Sequence, residues 1–246
     1  MNTVTSLDGT EIAFDRAGDG PPIIFVTGAF NDRSTCAPLA KLLESQFTVI
    51  TYDRRGRGDS TDTLPYAVDR EAEDLEALIA EAGGAAYVFG FSSGALLALK
   101  AKGVKKFALY EPPYDSEPKT QLIDEIAGYI ADGRRAEAVE AFQLKAIGLP
   151  AEMVAQIRHA PFYPALKAMA HTLVYDLTIT SEPVIEPAQV PALVLSGAET
   201  WPNLTAAAET VAARTAGRHE VLPGGAHHTI EPEVVAPVLA EWFTES

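Results

Sequence analysis

Residues Ala86-Tyr87-Val88-Phe89-Gly90-Phe91-Ser92-Ser93-Gly94-Ala95-Leu96-Leu97 join a strand pattern to a helix pattern across a short turn. Ala86–Phe89 is a brief, largely apolar run, the signature of a strand covered on both faces. Ser93–Ala101 has the spacing of a helix, so the residues between must turn sharply. A serine hydroxyl is a weak nucleophile and must be exposed, held taut and set beside a base. Glycines at positions 90 and 94 let neighbouring chain pass close to such a turn, and the helix N-terminus aims free N–H groups at developing negative charge. Gly-x-Ser-x-Gly also arises by chance in glycine-rich loops. Here the strand before it and the helix after it single out Ser92 as the candidate nucleophile. The adjacent Ser93 is more useful for its backbone N–H than for its hydroxyl.

Working outward, Asn2–Leu7 and Glu11–Arg16 predict a hairpin about Asp8-Gly9. Ile23–Val26 and Phe47–Thr51 predict buried strands, with a helix over Ser34–Ser45 between them. Asp69–Ala82 predicts an amphipathic helix with Leu75, Leu78 and Ile79 on one face and its acids on the other, outer face. Phe107–Tyr110 is a fourth buried strand. From about Pro118 to Ile179 only helical periodicity is found. Alternation returns at Pro191–Ser196 (strand), Asn203–Thr215 (helix), His219–Leu222 (strand) and Pro232–Thr244 (helix). The pattern predicts an α/β protein with a mostly parallel sheet and helices on both faces. Its core comes in two parts, 1–114 and 188–246, with a helical cap over 115–187 inserted after the fourth parallel strand.

The 246 residues suit one such domain, and 19 Lys+Arg against 34 Asp+Glu leave a formal charge of −15. That charge repels phosphate backbones, and no basic stripe offsets it, so nucleic acid is excluded as a partner. A lone cysteine, Cys36, makes neither an internal disulfide nor a multi-thiolate metal site, and reads as buried filler. The glycine-rich stretches lack phosphate-binding spacings, so neither a nucleotide cofactor nor a metal is expected. No secretory leader or bilayer-spanning run is found, which predicts a cytoplasmic protein with no membrane partner. A small molecule is the expected ligand. Monomer and homodimer both remain open.

The Ser92 turn, the strand Ile23–Val26 leading into Thr27-Gly28-Ala29-Phe30, the segment Tyr52-Asp53-Arg54-Arg55-Gly56-Arg57-Gly58-Asp59-Ser60, the helical cap and the late Gly224-Gly225-Ala226-His227 together resemble the α/β-hydrolase superfamily. The resemblance spans nearly the whole chain and is nearest to the small capped esterase-like members. It implies an oxyanion hole built from the backbone N–H groups of Ala29 and Ser93, although Thr27 stands where the superfamily often has histidine. It implies His227 as the base, with His228 as the immediate competitor. Phe30 and Phe91 would line the substrate site. Asp53 and Arg54 are expected to brace their turn outside the chemistry, and His159 and His171 to be surface or packing residues of the cap, with a place facing the substrate as the alternative for either.

The acid departs from the pattern. The superfamily usually carries Asp in a Gly-x-x-Asp arrangement after the strand at Pro191–Ser196, but Thr200 fills that slot and Glu199 sits one residue early. Some members take the acid from the end of the preceding sheet strand, where this chain has Glu111. Glu111 is therefore the expected acid and Glu199 the alternative. The resemblance implies a cofactor-independent, carboxylesterase-like serine hydrolase acting on a small to medium, fairly apolar ester, lactone or thioester. The same fold could instead run a lyase, carbon–carbon hydrolysis or cofactor-free oxidation step. A non-catalytic ligand-binding protein with a defective triad is the third reading.

Overall fold

The computed structural model describes residues 1–115, 117–182 and 184–245. Ser116 and Pro183, inside the predicted cap, and Ser246 lie outside the described residues. The apolar runs become strands β1 (Asn2–Thr5), β2 (Glu11–Ala17), β3 (Pro22–Val26), β4 (Thr48–Tyr52), β5 (Ala86–Phe91), β6 (Val104–Tyr110), β7 (Ala192–Gly197) and β8 (Arg218–Leu222). They form one sheet in the order β1-β2-β4-β3-β5-β6-β7-β8. The hairpin β1–β2 and its pairing to β4 are antiparallel, and all other pairs are parallel. The expected mixed, mostly parallel sheet is therefore observed.

Helices α1 (Ala37–Leu43) and α10 (Pro232–Thr244) cover one face, packing Leu39, Leu43, Leu239 and Phe243 on Phe25, Phe89 and Leu195. Helices α2 (Val68–Glu81), α3 (Ser93–Ala98) and α9 (Pro202–Thr215) cover the other. On α2, Leu75, Leu78 and Ile79 are buried. Each contributes roughly 1.5–3 kcal/mol relative to an exposed position. The acids of α2 differ from expectation. Glu71 and Asp74 are buried, because Arg54 and Arg55 reach under the helix: Arg54 Nε donates to Glu71 at 2.7 Å, and Arg55 donates to both Asp74 oxygens at 2.7 Å. The inward face of α2 thus holds an ion-pair row beside its apolar stripe. Their helical spacing alone would put these carboxylates in solvent, because the arginines that pair with them lie 17 and 19 residues away.

Between β6 and β7 the described elements are all helical: α4 (Thr120–Ala131), α5 (Arg135–Ala141) running into a π-helical turn at Phe142–Ile147, α6 (Ala151–Ile157), α7 (Tyr163–Ala168), a 3₁₀ turn at Ala170–Thr172, and α8 (Leu173–Thr180). Their apolar faces meet around Ile126, Val139, Leu173 and Leu177, and Ala29 and Phe30 of the sheet domain pack against that cluster. The insertion therefore sits over the carboxyl ends of the parallel strands, where ligands bind in open α/β sheets.

Candidate active site

At the carboxyl end of β5 the chain reverses through Ser92, whose φ of 56° and ψ of −133° lie where L-residues are strained. Three glycines make the turn possible. A Cβ on Gly90 would lie 2.5 Å from Ala95 Cα, and one on Gly94 would lie 2.3 Å from the Val26 carbonyl. A Cβ on Gly28 would lie 2.5 Å from Ser92 Cβ, so the loop after β3 touches the turn itself. The Ser92 N–H donates to the Tyr110 carbonyl at 3.0 Å, which ties the turn to the end of β6. Ala29 lies on that β3 loop, and Ser93 opens α3 with no intrahelical acceptor for its N–H.

Glu111 follows β6 directly, also in the left-handed region at φ 47°. Its carboxylate is fully buried. Oε1 accepts the Gly197 N–H at 2.9 Å, and Oε2 lies 2.5 Å from a histidine Nδ1. That histidine is His228. The imidazole predicted for this place, His227, is exposed and does not meet Glu111. The loop explains the difference. Gly224, Gly225, His227 and His228 all have positive φ, the Gly225 N–H donates to Glu231 at 2.8 Å, and Tyr110 Oη donates to the Thr229 carbonyl at 3.0 Å. Pinned at both ends and coiled between, the loop turns its second histidine inward. Phe91 packs on the His228 ring at 4.7 Å between centroids, and Trp201 lies on the same ring at 6.3 Å. A carboxylate can only accept, so Nδ1 carries the proton and Nε2 is left as the basic nitrogen.

The other candidate acid stays outside. Glu199 is exposed on the turn after β7; its backbone N–H donates to the Gly224 carbonyl at 2.9 Å. Its contribution here is through the main chain.

A sequence profile of the alpha/beta hydrolase family matches residues 23–238. The chain belongs to the alpha/beta hydrolase family. A crystal structure of an alpha/beta hydrolase from Sphaerobacter thermophilus is 43% identical, covers 99% of this chain and 100% of its own, and superposes with a TM-score of 0.91. A thermophilic esterase from Thermogutta terrifontis, solved with malate bound, covers 98% and 97% of the two chains with a TM-score of 0.74, but at 20% identity it supports the fold alone. Among curated relatives, the uncharacterized hydrolase YraK of Bacillus subtilis is 35% identical over 102 residues, 40% of this chain and 38% of that protein. The match thus spans less than half the length of that relative.

In this alpha/beta hydrolase, Ser92, His228 and His227 open onto one cavity of about 640 Å³ between sheet and insertion. Phe30, Phe91, Phe142, Ile147, Leu149 and Trp201 give it mostly apolar walls. Of the bulky side chains between β6 and β7, Phe142 and Met153 reach the cavity, and Phe30 meets Phe142 edge-on at 5.4 Å. Tyr163 packs within the insertion, Phe162 is exposed, and Tyr175 stacks on Tyr66 at 3.9 Å. Tyr175 Oη also donates to Asp62 at 2.7 Å, beside His171. Burial and the nearby Arg135 hold the His171 pKa below its usual value. Cys36 is buried and its thiol is pushed up to about 12 by burial, in keeping with filler.

Two features escape any sequence pattern. Arg57 is buried, and with Arg54 it holds the β3 loop: Arg54 donates to the Thr27 carbonyl at 3.2 Å and Arg57 to the Gly28 carbonyl at 2.5 Å. These guanidiniums hold two successive carbonyls of the loop that Thr27 begins. The second is Asp176 on α8, buried at the cavity wall against both arginines. Among the described residues no group of three or more His, Cys, Asp or Glu is arranged to hold a metal ion, and no helix is long and apolar enough to cross a membrane.

Proposed function

We propose that this protein is a cofactor-independent serine hydrolase acting, through an acyl-enzyme, on a small to medium, fairly apolar ester, lactone or thioester. The observation that carries the reading is the 2.5 Å contact of Glu111 Oε2 with His228 Nδ1, at a cavity shared with the strained Ser92. Ser92 Oγ attacks the carbonyl carbon while His228 Nε2 takes its proton, and the Ala29 and Ser93 N–H groups bind the oxyanion. Collapse expels the alcohol or thiol, which receives the proton from His228. Water, activated by the same nitrogen, then releases the acid. Glu111 holds the imidazole in the required tautomer. The apolar walls favour an acyl or alcohol part with little charge. Residues 115–187 act as the cap that shapes this cavity. The pairing of the fully buried Glu111 with His228 at the cavity supports catalysis over a purely ligand-binding role.

The test is a panel of p-nitrophenyl acetate, butyrate and octanoate with Ser92→Ala as control, together with fluorophosphonate labelling. Wild-type turnover well above the mutant's, with label on Ser92, is expected. Equal rates across the panel and no labelled serine would sink the proposal; a labelled but inactive enzyme would redirect it to lyase or carbon–carbon bond substrates.

A further inference from the structure

Asp176 joins three groups that belong to different parts of the site. Its Oδ1 accepts from Arg54 Nη1 at 2.7 Å and from Ser93 Oγ at 2.6 Å, and its Oδ2 accepts from Arg57 Nη2 at 2.7 Å. Both arginines continue to the loop after β3, where Arg57 Nη1 donates to the Gly28 carbonyl at 2.5 Å. The Gly28 carbonyl and the Ala29 N–H are the two ends of one planar peptide unit, and in a trans peptide they point in opposite directions. Fixing that carbonyl against Arg57 therefore fixes the direction of the Ala29 N–H. A cation on the carbonyl oxygen also polarises the peptide and strengthens its N–H as a donor. On the other side, the Ser93 hydroxyl bond holds the residue whose N–H is the second donor. Both oxyanion donors are thus referred to a single carboxylate.

We infer that Asp176 is a positioning residue that sets both oxyanion-hole donors, acting on Ala29 through Arg57 and on Ser93 directly. The inference rests on the serine-hydrolase reading above. The network has no slack. Glu71, Arg54, Asp176 and Arg57 are all buried and neutralise one another, and among the described residues Arg54 Nη2 and Arg57 Nε have no acceptor. Removing the carboxylate strands more donors, and the guanidiniums must move to find others, carrying the loop with them. Because Asp176 comes from α8 of the insertion, the cap helix becomes part of the oxyanion hole's support. Tyr175, stacked on Tyr66 and bonded to Asp62, fixes the same helix one residue earlier.

The experiment compares Asp176→Asn and Ser93→Ala with wild type, scoring p-nitrophenyl butyrate turnover per fluorophosphonate-titrated Ser92. A purely structural role would lower the number of titratable sites and leave turnover per site unchanged. A positioning role lowers kcat per site by about 10- to 100-fold in Asp176→Asn and about 3- to 10-fold in Ser93→Ala, with KM within about threefold, since a misaimed donor costs less than a deleted one. Binding of a short alkyl trifluoromethyl ketone, which builds the oxyanion, weakens by the same factor as kcat/KM. Should Asp176→Asn fail to fold, Ser93→Ala still decides the direct arm, because it removes one hydroxyl and no charge. Turnover per site within twofold of wild type in the folded variants overturns the inference while leaving the hydrolase reading intact. Absence of labelling in the wild type removes that reading and the inference with it.

Discussion

Replacing Glu111 by Gln is the sharpest test of the proposed chemistry, because its outcome follows from one backbone hydrogen bond. The Gly197 N–H donates to Glu111 Oε1 at 2.9 Å. In the amide the carbonyl oxygen must keep that place, since an NH2 group there would face another donor. The NH2 is then turned toward His228 Nδ1, a site that held a carboxylate oxygen at 2.5 Å. Nδ1 must become the acceptor, the proton moves to Nε2, and the nitrogen that should take the Ser92 proton is already occupied. A wrong-tautomer imidazole of this kind costs about 10⁴ in kcat. At 1.36 kcal/mol per tenfold that is about 5 kcal/mol of transition-state stabilisation. Folding loses less, about 1–3 kcal/mol, because the amide keeps the size of the acid and satisfies Gly197. The assay is kcat/KM for p-nitrophenyl butyrate near neutral pH with thermal unfolding measured alongside. A folded Glu111→Gln enzyme within tenfold of wild type would refute the reasoning, and the fully buried acid would be a strand-end brace. Glu199→Gln serves as the parallel control and is expected within about twofold, as for an exposed charge.

The paired substitutions His228→Asn and His227→Asn separate the two histidines: the first is expected to lose at least about 10³-fold in kcat and the second less than about fivefold, measured on the same ester. Gly28→Ala places a Cβ 2.5 Å from Ser92 Cβ and 3.0 Å from Oγ, so the loop must retreat. A loss of about 10²-fold in kcat is expected from a displacement of that order, with correctly folded protein by circular dichroism. For pH, burial acts to raise the Asp176 pKa, but Arg57 and Arg54 outweigh it and hold it below the ordinary 3.8. The stability Asp176 contributes is therefore present above 3.8 and lost as pH falls through its lower folded value. Asp74 runs the other way: burial pushes it up to about 6 despite Arg55, so its contribution is full below 3.8 and lost as pH rises through about 6. Urea unfolding between pH 3 and 7 reads both limbs, and Asp74→Asn should remove only the upper one.

The architecture was legible because its signals are local. Short apolar runs such as Ile23–Val26, bounded by Gly20-Pro21-Pro22 and Gly28, carry the signature of strands covered on both faces, and glycines at 90 and 94 around Ser92 announce a turn whose neighbours leave no room for a Cβ. Glu111 was legible as an acid at a strand end, and β6 delivers it to the imidazole. The helix α2 was legible in its period but not in its acids, since Glu71 and Asp74 find their arginines 17 and 19 residues away.

What local pattern determined, then, is the alternation of strand and helix, the serine turn and the small set of acids and bases that topology brings to the carboxyl edge of the sheet. The choice between His227 and His228 needed tertiary structure. Adjacent side chains diverge, and which one turns inward depends on four positive-φ residues held by Glu231 and Tyr110. The same is true of Asp176, whose partners lie 83 to 122 residues away and whose carboxylate has no local motif around it. Backbone preference acts between near neighbours, whereas the pairing of a buried charge is settled only when distant segments pack and each must find its counter-ion out of water.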